Sequence, residues 1–328
     1  MTAEAIFQGF TQKRVLVIGD VMIDAYLRGS VTRVSPEAPV PIINLSKSED
    51  RLGGAANVAL NLLALGAEPI LCAVIGDDKG ADKFDVLLDK RNLSKEGIIR
   101  SSNRETTTKT RVIGNNQQLL RIDEECINLL NKEEERLFID HVKSIIETNV
   151  DAIILEDYNK GLLTKSVISE IVQFANDRNI IVTVDPKKDQ FFDYQNVTLF
   201  KPNLKELKEG LGLEFDVLDK PAFENAIQLL ENKLNNKISF VTLSEHGVFV
   251  KENAKKDYIP AHIRNISDVS GAGDTVISVA TLCLTVGIKP DLMAEIANLA
   301  GGLVCEESGV IPVNKELLLS EVQKLVLA

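Results

Sequence analysis

The sequence predicts a layered α/β fold built on a mostly parallel central sheet. Hydrophobic residues make up 45% of the 328 residues, yet aromatics only 5% and Trp is missing, so the core must consist mainly of Val, Ile, Leu and Ala. That mixture favours buried parallel strands covered by helices. Short β-branched runs also alternate with segments of helical spacing, which is typical of strand–helix–strand units.

Six short apolar runs predict the strands of the sheet, because they are too short for helices. They lie at residues 15–18, 69–75, 152–155, 180–184, 198–200 and 239–243. The predicted helices lie between or after them, at residues 55–65, 133–146, 165–179, 222–234, 274–286 and 292–305. This alternation implies right-handed crossovers and helices on both faces of the sheet.

Two segments, 25–50 and 106–123, break this rhythm with an alternating β-prone pattern that offers no helix. We expect both to form strands of a small β lid. No internal repeat or low-complexity linker is evident, so the lid would be inserted into a single domain spanning residues 1–328. Because unpaired strand edges are a liability, we also expect a homodimer formed through the lid.

Charge and cysteine content argue against several classes of function. The chain carries 37 Lys and Arg against 48 Asp and Glu, with no dense basic stripe, so nucleic-acid binding is not expected. Four widely spaced cysteines without a C-x-x-C pair indicate free thiols rather than a zinc or redox site. Without a signal-like start or a long apolar segment, the sequence predicts a cytoplasmic protein with no membrane partner.

The most informative motif is Asp-Val-Ser-Gly-Ala-Gly-Asp-Thr at residues 268–275, which opens a predicted apolar helix. The N–H groups of Gly271, Ala272 and Gly273, with the helix dipole, could form an anion hole for a phosphate in transfer. Asp274 could accept the proton of an attacking hydroxyl. The alternative is an ordinary loop in which Asp274 only favours the helix dipole, and the length of the motif weakens that alternative.

Residues near the first predicted strand are candidates for sugar binding. Gly53 and Gly54 would let a sugar approach the backbone, and Asn57 can both donate and accept hydrogen bonds. Asp20 and Asp24 follow the first strand, where the carboxyl ends of parallel strands form the usual ligand crevice. A tight loop or a turn cap explains these five residues equally well when each is judged alone.

Two later motifs are candidates for nucleotide binding. Asn203 and Glu206 could hold water around the magnesium of ATP, although a capping box explains the same spacing. The turn at residues 242–247 could contact the nucleotide phosphates or ribose, or could be a simple hairpin. The nucleotide-binding candidates in this turn and in the last predicted helix are Thr242, Ser244, Glu245, Gly247 and Asn298.

Taken in order, Gly53-Gly54 with Asn57, Asn203 with Glu206, and residues 271–274 resemble the motifs of the ribokinase family of carbohydrate kinases. The resemblance covers nearly the whole chain. It implies a ribokinase-like three-layer sandwich and a kinase that uses ATP and Mg²⁺. Whether a monovalent cation is also required stays open. No P-loop and no protein-kinase motif is present, so transfer at an anion hole is the mechanism that remains.

Within this family the chain is most similar to the heptose 7-phosphate kinases, which form half of a bifunctional kinase and adenylyltransferase. The matching stretches are residues 19–24, 34–41, 116–121, 157–161 and 185–187. The similarity implies phosphorylation of O1 of D-glycero-β-D-manno-heptose 7-phosphate, toward ADP-heptose for the lipopolysaccharide core. The sequence ends at Ala328, so we expect a separate protein to supply adenylyl transfer.

A phosphorylated sugar needs cations to hold its own phosphate. The candidates in or beside the lid and crevice, with one amide from the lid, are Lys109, Arg111, Gln117, Arg121, Lys160 and Lys187. Each cation could equally be a solvated surface charge. Three places depart from the heptose kinase pattern: Ala25 where Arg is expected, Glu156 where a small polar residue is expected, and residues 306–311, which are more acidic and apolar.

Two other functions stay open. The chain could be another member of the same family, acting on fructose, a fructose phosphate or ribose. It could instead be a catalytically silent sensor of a sugar or nucleotide. Retention of Asp274 with its glycines argues against the sensor, because binding alone does not require a base.

Overall fold

Strands and helices alternate along most of the chain in this computed structural model, which describes residues 1–262, 264–307 and 309–327. The strands are β1 (Arg14–Gly19), β2 (Val21–Val34), β3 (Pro41–Gly54), β4 (Glu68–Gly76), β5 (Ile98–Ser101), β6 (Thr108–Gly114), β7 (Gln117–Glu124), β8 (Ala152–Glu156), β9 (Ile181–Asp185), β10 (Leu199–Phe200), β11 (Ile238–Thr242), β12 (Val248–Glu252) and β13 (Lys255–Ile259). The helices are α1 (Ala3–Phe10), α2 (Ala55–Leu65), α3 (Lys79–Lys90), α4 (Lys132–Ile146), α5 (Lys165–Asn176), α6 (Leu204–Leu211), α7 (Lys220–Leu234), α8 (Ala272–Thr285), α9 (Pro290–Val304) and α10 (Lys315–Leu327).

Nine strands form the main sheet in the order β13-β12-β11-β10-β9-β8-β1-β4-β5. The strands from β11 to β5 in this order pair in parallel, while β12 and β13 add an antiparallel edge. Their buried Val, Ile, Leu and Phe side chains join those of the helices in one hydrophobic core. The predicted α/β class is therefore confirmed.

All six predicted strands and all six predicted helices are present, with boundaries that differ by a few residues. Helix α5 ends at Asn176, three residues earlier than predicted. The reason is local, because Asn179 has φ 56° and an L-residue in the left-handed region cannot continue a helix. The turn after β11 is the hairpin that was one of the two alternatives, since β12 returns antiparallel to β11.

A separate four-stranded sheet, in the order β3-β2-β6-β7, contains the two segments predicted as the lid. Strand β2 pairs antiparallel with β3 and parallel with β6, and β6 forms an antiparallel hairpin with β7. Because paired residues share a face of a sheet, the register separates two surfaces. The charged face of the lid carries Asp24, Tyr26, Arg28, Lys47, Glu49, Arg51, Lys109, Arg111, Arg121 and Asp123. The apolar face of the lid carries Ala25, Leu27, Leu45, Val112, Leu120 and Ile122.

The four cysteines are free thiols, as predicted, with Cys72 and Cys283 buried and Cys126 and Cys305 partly exposed. Among the helices described here, none combines the length and the apolar character that crossing a membrane requires.

Candidate active site

Asp274 lies in the first turn of α8, whose N-terminus opens next to α2. Gly271 is the N-cap and adopts φ 81°, and no side chain within the described ranges caps the helix. A β-carbon on Gly271 would lie 2.9 Å from Nδ2 of Asn57, so both the backbone conformation and the close approach favour glycine. An uncapped N-terminus of this kind offers N–H groups and a favourable dipole to an anion.

One of the three predicted anion-hole residues is already engaged in the loop. The N–H of Ala272 donates to the carbonyl of Val269 at 3.3 Å, which forms part of the turn into α8. Gly271, Ala272 and Gly273 nevertheless lie together at the opening of the helix, as predicted. The role of these residues as an anion hole stays a prediction.

The carboxylate of Asp274 is buried and accepts two hydrogen bonds. Nδ2 of Asn57 donates to Oδ2 at 2.7 Å, and the hydroxyl of Tyr158 donates to Oδ1 at 2.9 Å. Burial raises the pKa of Asp274 to about 6, opposed by the hydrogen bond from Asn57 and reinforced by the charge of Asp185. Asn57, predicted as a sugar ligand, therefore orients the candidate base in this structure.

Two further buried carboxylates lie beside this base. Glu156 and Asp185 end the neighbouring strands β8 and β9 and are direct partners in the register, so their side chains reach the same edge of the sheet. One oxygen of each, together with one of Asp274, lies within 4.8 Å of the others. We call these three residues and Lys201 the floor of the site.

Lys201 supplies the positive charge of the floor. Its Nζ lies 2.7 Å from Oδ2 of Asp185, and both side chains are almost fully buried. Burial opposes the charge of this lysine, but Asp185, Glu206 and Glu156 together raise its pKa. A β-carbon on Gly273 would lie 3.7 Å from the same Nζ and 3.5 Å from Oδ2 of Asp185, which places the ion pair beside the opening of α8.

Asp185 lies in one of the stretches that resemble the heptose 7-phosphate kinases and Glu156 is one of the departures from their pattern, yet sequence reasoning assigned no role to either residue or to Lys201. The signal that could have found them is their position at or just after the ends of three consecutive parallel strands. Carboxyl ends of parallel strands meet at the ligand crevice of an open α/β sheet. The floor follows from that rule once the strand order is known.

The floor contains groups that fit a divalent cation. Oxygen ligands from carboxylates are those that Mg²⁺ prefers. Oε2 of Glu156 is buried without a hydrogen-bond partner among the described residues, and burial followed by the charges of Asp185 and Asp274 raises its pKa well above the usual range. A cation at this place would relieve the mutual repulsion of the carboxylates.

The predicted magnesium pair, Asn203 and Glu206, forms the capping box of α6. Oδ1 of Asn203 accepts from the N–H of Glu206, and Oε2 of Glu206 accepts from the N–H of Asn203, both at 2.8 Å. Oε1 of Glu206 also pairs with Lys187 at 2.5 Å. The capping box, which was one explanation of this spacing, is therefore formed. A water-mediated contact of the two residues with magnesium stays a prediction.

Asp20 is used to hold the loop that follows β8. Its Oδ2 accepts from the N–H groups of Tyr158 and Lys160 at 3.0 Å, and its Oδ1 accepts from Leu162 at 3.4 Å. Burial raises the pKa of Asp20 although these N–H groups oppose the shift. Asp20 therefore positions the loop that carries Tyr158 to Asp274, and direct sugar binding by Asp20 stays a prediction.

Asp24 and the paired glycines lie where the lid joins the main sheet. Nη1 of Arg111 donates to Oδ1 of buried Asp24 at 2.5 Å. A β-carbon on Gly53 would lie 2.2 Å from Oδ2 of Asp24, and Gly54 adopts φ 62° before α2 begins. The structure brings Asp24, Gly53 and Arg111 together, and their role as one substrate surface stays a prediction.

The other predicted phosphate ligands are distributed differently. Lys109 and Lys160 both pair with Glu125, at 3.2 and 2.7 Å, and Arg121 pairs with Asp123 at 2.8 Å. Lys187 lies on the floor side, over the ring of Tyr158.

The structure places Gln117 and the nucleotide-binding candidates, but their binding roles stay predictions. Gln117 is exposed at the tip of the lid, and Glu245 is exposed after β11. Thr242 bridges to Asn203, Ser244 begins the 3-10 turn that follows β11, and Gly247 packs against the carbonyl of Ile259. Asn298 donates to the carbonyl of Pro260 at 2.9 Å. The predicted departure at residues 306–311 includes Ser308, which lies outside the described residues.

The sequence matches a family model and bacterial relatives over most of its length. Residues 12–317 match the model described as pfkB family carbohydrate kinase. The chain is 38% identical to the bifunctional protein HldE of Helicobacter pylori strain G27 over 297 residues, and 38% identical to HldE of Desulfatibacillum aliphaticivorans over 316 residues. These matches cover 90% and 96% of the chain but 64% of each relative, so the chain spans just under two thirds of their length.

Solved structures agree on the fold. The potassium complex of phosphofructokinase-2 from Escherichia coli superposes with a TM-score of 0.78 at 17% identity, covering 97% of this chain and all of that one. Arabidopsis thaliana ribokinase, complexed with ribose and ATP, superposes with a TM-score of 0.71 at 16% identity over 94% of this chain and 99% of that one. At such identities the likeness concerns the fold alone.

Proposed function

Since the chain belongs to the pfkB family of carbohydrate kinases, we propose that it transfers the terminal phosphate of ATP to O1 of D-glycero-β-D-manno-heptose 7-phosphate. The observation that carries the kinase chemistry is the carboxylate of Asp274 at the open N-terminus of α8. A base oriented by Asn57 and Tyr158 lies there beside a helix dipole and the buried Lys201. These are the parts that phosphoryl transfer requires, namely a positioned base and stabilisation of negative charge.

The proposed mechanism uses these groups in a single transfer step. The reacting sugar hydroxyl gives its proton to Asp274 as its oxygen bonds to the γ-phosphorus, while the bond to the bridging oxygen of ADP breaks. The N–H groups at the start of α8 and the ammonium of Lys201 stabilise the charge on the transferred group. Asn57 and Tyr158 keep the accepting carboxylate oxygens aimed at the hydroxyl.

Magnesium bound with ATP neutralises phosphate charge in kinases of every class. In this chain Glu156 and Asp185 would hold it directly, and Asn203 and Glu206 through water. Lys187 was predicted as a ligand of the sugar's phosphate, but it lies close to Glu206 and Tyr158, and there it would contact the phosphates of ATP instead. Whether the reaction also requires a monovalent cation stays open.

Three observations favour heptose 7-phosphate as the sugar. The relatives with 38% identity are HldE proteins, and the stretches at residues 34–41 and 116–121 resemble the heptose 7-phosphate kinases. In addition, the charged face of the lid carries six Lys and Arg against three Asp and Glu, which suits a substrate with its own phosphate.

A coupled assay of ADP release over a panel of sugars tests the proposal. We expect the seven-carbon sugar 7-phosphate to be phosphorylated far faster than fructose, fructose 6-phosphate, ribose or unphosphorylated heptose. Faster turnover of fructose 6-phosphate or ribose would replace the heptose assignment but leave the kinase. No ADP release above background with any sugar would count against the kinase itself.

A further inference from the structure

Tyr26 of the lid is surrounded by three guanidinium groups. The Cζ atoms of Arg28, Arg51 and Arg111 lie 5.5, 5.2 and 5.4 Å from the centroid of its ring. The ring itself is buried, with 8% of its surface exposed. Cations on an aromatic face are attracted by the ring quadrupole, but three like charges around one ring also repel each other.

The acids near this cluster do not neutralise it. Arg111 pairs with Asp24, and Arg51 pairs with Glu49 at 2.7 Å. Glu49 also pairs with Lys47 at 2.7 Å. Arg28 has no carboxylate within 4.0 Å among the residues that the structure describes. Asp268 is a third acid, and its charge acts on Arg111 and on Tyr26. Arg28, Arg51, Arg111 and Lys47 against Asp24, Glu49 and Asp268 still leave one positive charge, which favours an anion.

The register places the cluster on the substrate side of the lid. Residues 24, 26 and 28 of β2 share a face and follow each other at about 6.8 Å, twice the rise of a strand residue. Asp24 touches Gly53, which precedes the helix that carries Asn57 to Asp274. The surface thus runs from the base through Asn57 and Gly53 to Asp24, and the arginines continue it away from the base.

The same cluster reaches the loop that follows α9. A β-carbon on Gly309 would lie 2.9 Å from Nη1 of Arg51. The N–H of Gly309 donates to Oδ2 of Asp268 at 3.1 Å, in the loop that leads to the opening of α8. The arginines therefore face the mouth of the site and not the surface behind the lid.

We propose that Arg28, Arg51 and Arg111, arranged around Tyr26, bind the phosphate that the sugar substrate itself carries. This inference rests on the proposed function and gives its substrate specificity a place in the lid. Guanidinium groups are suited to this role because their planar forks match phosphate oxygens in pairs. The earlier candidates Lys109, Lys160 and Arg121 do not lie over the ring of Tyr26, and each is paired with Glu125 or Asp123, so they add positive charge nearby and not the direct contacts.

The test uses Arg28→Gln, Arg51→Gln and the double variant, measured by steady-state kinetics and by isothermal titration. We expect the KM and Kd for heptose 7-phosphate to rise about 10- to 100-fold, the usual weight of hydrogen bonds to charged groups. The KM for ATP should stay within about threefold, because the cluster lies on the sugar side. Arg111 is left in place, since its removal would leave buried Asp24 without its partner.

Arg33→Gln is the matched control. Arg33 lies farther along β2 than Arg28 and is exposed, so its replacement should leave the KM and Kd for the sugar phosphate unchanged. Thermal unfolding of each variant establishes that the lid is intact. The preference of wild type for heptose 7-phosphate over unphosphorylated heptose should collapse in the double variant.

Outcomes for the cluster and for the kinase can be separated. An unchanged preference for the phosphorylated sugar in the double variant, or an equal loss in the Arg33 control, would overturn the arginine cluster while leaving the kinase standing. If wild type phosphorylates no sugar, the proposed function fails, and titration with heptose 7-phosphate still decides the cluster. Binding that depends on Arg28 and Arg51 would support it, and binding that does not would overturn it.

Discussion

The floor of the site and the charged face of the lid carry opposite excess charge, negative in the floor and positive on the lid. The floor gathers Glu156, Asp185 and Asp274 in a buried place and offsets them with one lysine, Lys201. The lid gathers arginines on a partly exposed sheet and offsets them with fewer acids. Burial in the floor shifts pKa values strongly, whereas water near the lid screens its charges.

The difference indicates how the two regions divide the work. A base and a charge-stabilising lysine must be held rigidly before the reaction, which strand ends and a helix N-terminus do well. Recognition of a substrate phosphate needs cations that stay charged and remain accessible, which the partly exposed arginines of the lid provide. We therefore expect floor variants to change kcat and lid variants to change KM.

The largest expected effect is that of Asp274→Asn. Turnover should fall about 10²- to 10⁴-fold, the usual contribution of a positioned general base, while ATP binding and the melting temperature stay close to wild type. Steady-state kinetics and nucleotide titration measure the two quantities. A variant that keeps near-normal turnover would remove Asp274 from the mechanism and with it the role given to the floor.

Lys201→Met should have the next largest effect. Loss of a cation that stabilises transferred charge lowers kcat about 10²- to 10³-fold by analogy with oxyanion donors. The change also leaves Asp185 buried without its partner, which costs of the order of 3 kcal/mol of folding stability. The double variant Lys201→Met with Asp185→Asn should regain much of that stability without regaining turnover. Because Asp185 is itself a proposed magnesium ligand, the reference is Asp185→Asn alone, and equal turnover of that variant and the double variant would show that Lys201 serves the fold alone.

The pH profile tests the buried state of the base. Burial raises the pKa of Asp274 to about 6, and only its ionised form accepts a proton. The value of kcat/KM should therefore be level above pH 6 and fall about tenfold per pH unit below it. Asn57→Ala removes a hydrogen bond that lowers this pKa, so the acid limb should move to higher pH. An acid limb that stays in place in Asn57→Ala would argue that another group titrates.

The sequence predicted those parts of the candidate site that depend on interactions between residues close together in the chain. Asp274 with its glycines and Asn203 with Glu206 are readable because a helix start constrains residues a few positions apart. The contact between Asn57 and Asp274 joins residues 217 positions apart and depends on how α2 packs beside α8. No local pattern contains that packing.

The lid shows the same limit. Its segments were readable from their alternating pattern, but the arginines around Tyr26 come from β2, β3 and β6. Which residues face each other depends on strand register, including the shift near Arg28 and Gly29. A one-residue slip would move Arg51 to the apolar face. Arg111 was therefore proposed from the sequence, whereas Arg28 and Arg51, which the fold brings beside it, were not.

The smallest effect on turnover is expected on the reverse side of the lid. Leu45, Leu120 and Ile122 on the apolar face are 58%, 55% and 46% exposed. An exposed apolar sheet face of this kind marks an interaction site, and a second copy of the lid would cover it and protect the edge strands. We predict a homodimer in light scattering at micromolar concentration.

Leu120→Glu with Ile122→Glu should convert this dimer to a monomer, because it would place like charges opposite each other in the interface. Leu218→Glu is the control, since Leu218 is 70% exposed outside the lid and should leave the dimer intact. Both side chains of the double variant point away from the arginines, so kcat and the KM for the sugar phosphate should change less than about threefold. A monomeric wild type would contradict the interface. A dimeric wild type whose monomeric variant loses sugar binding would instead show that the two faces of the lid are coupled and that the division between floor and lid extends across the dimer.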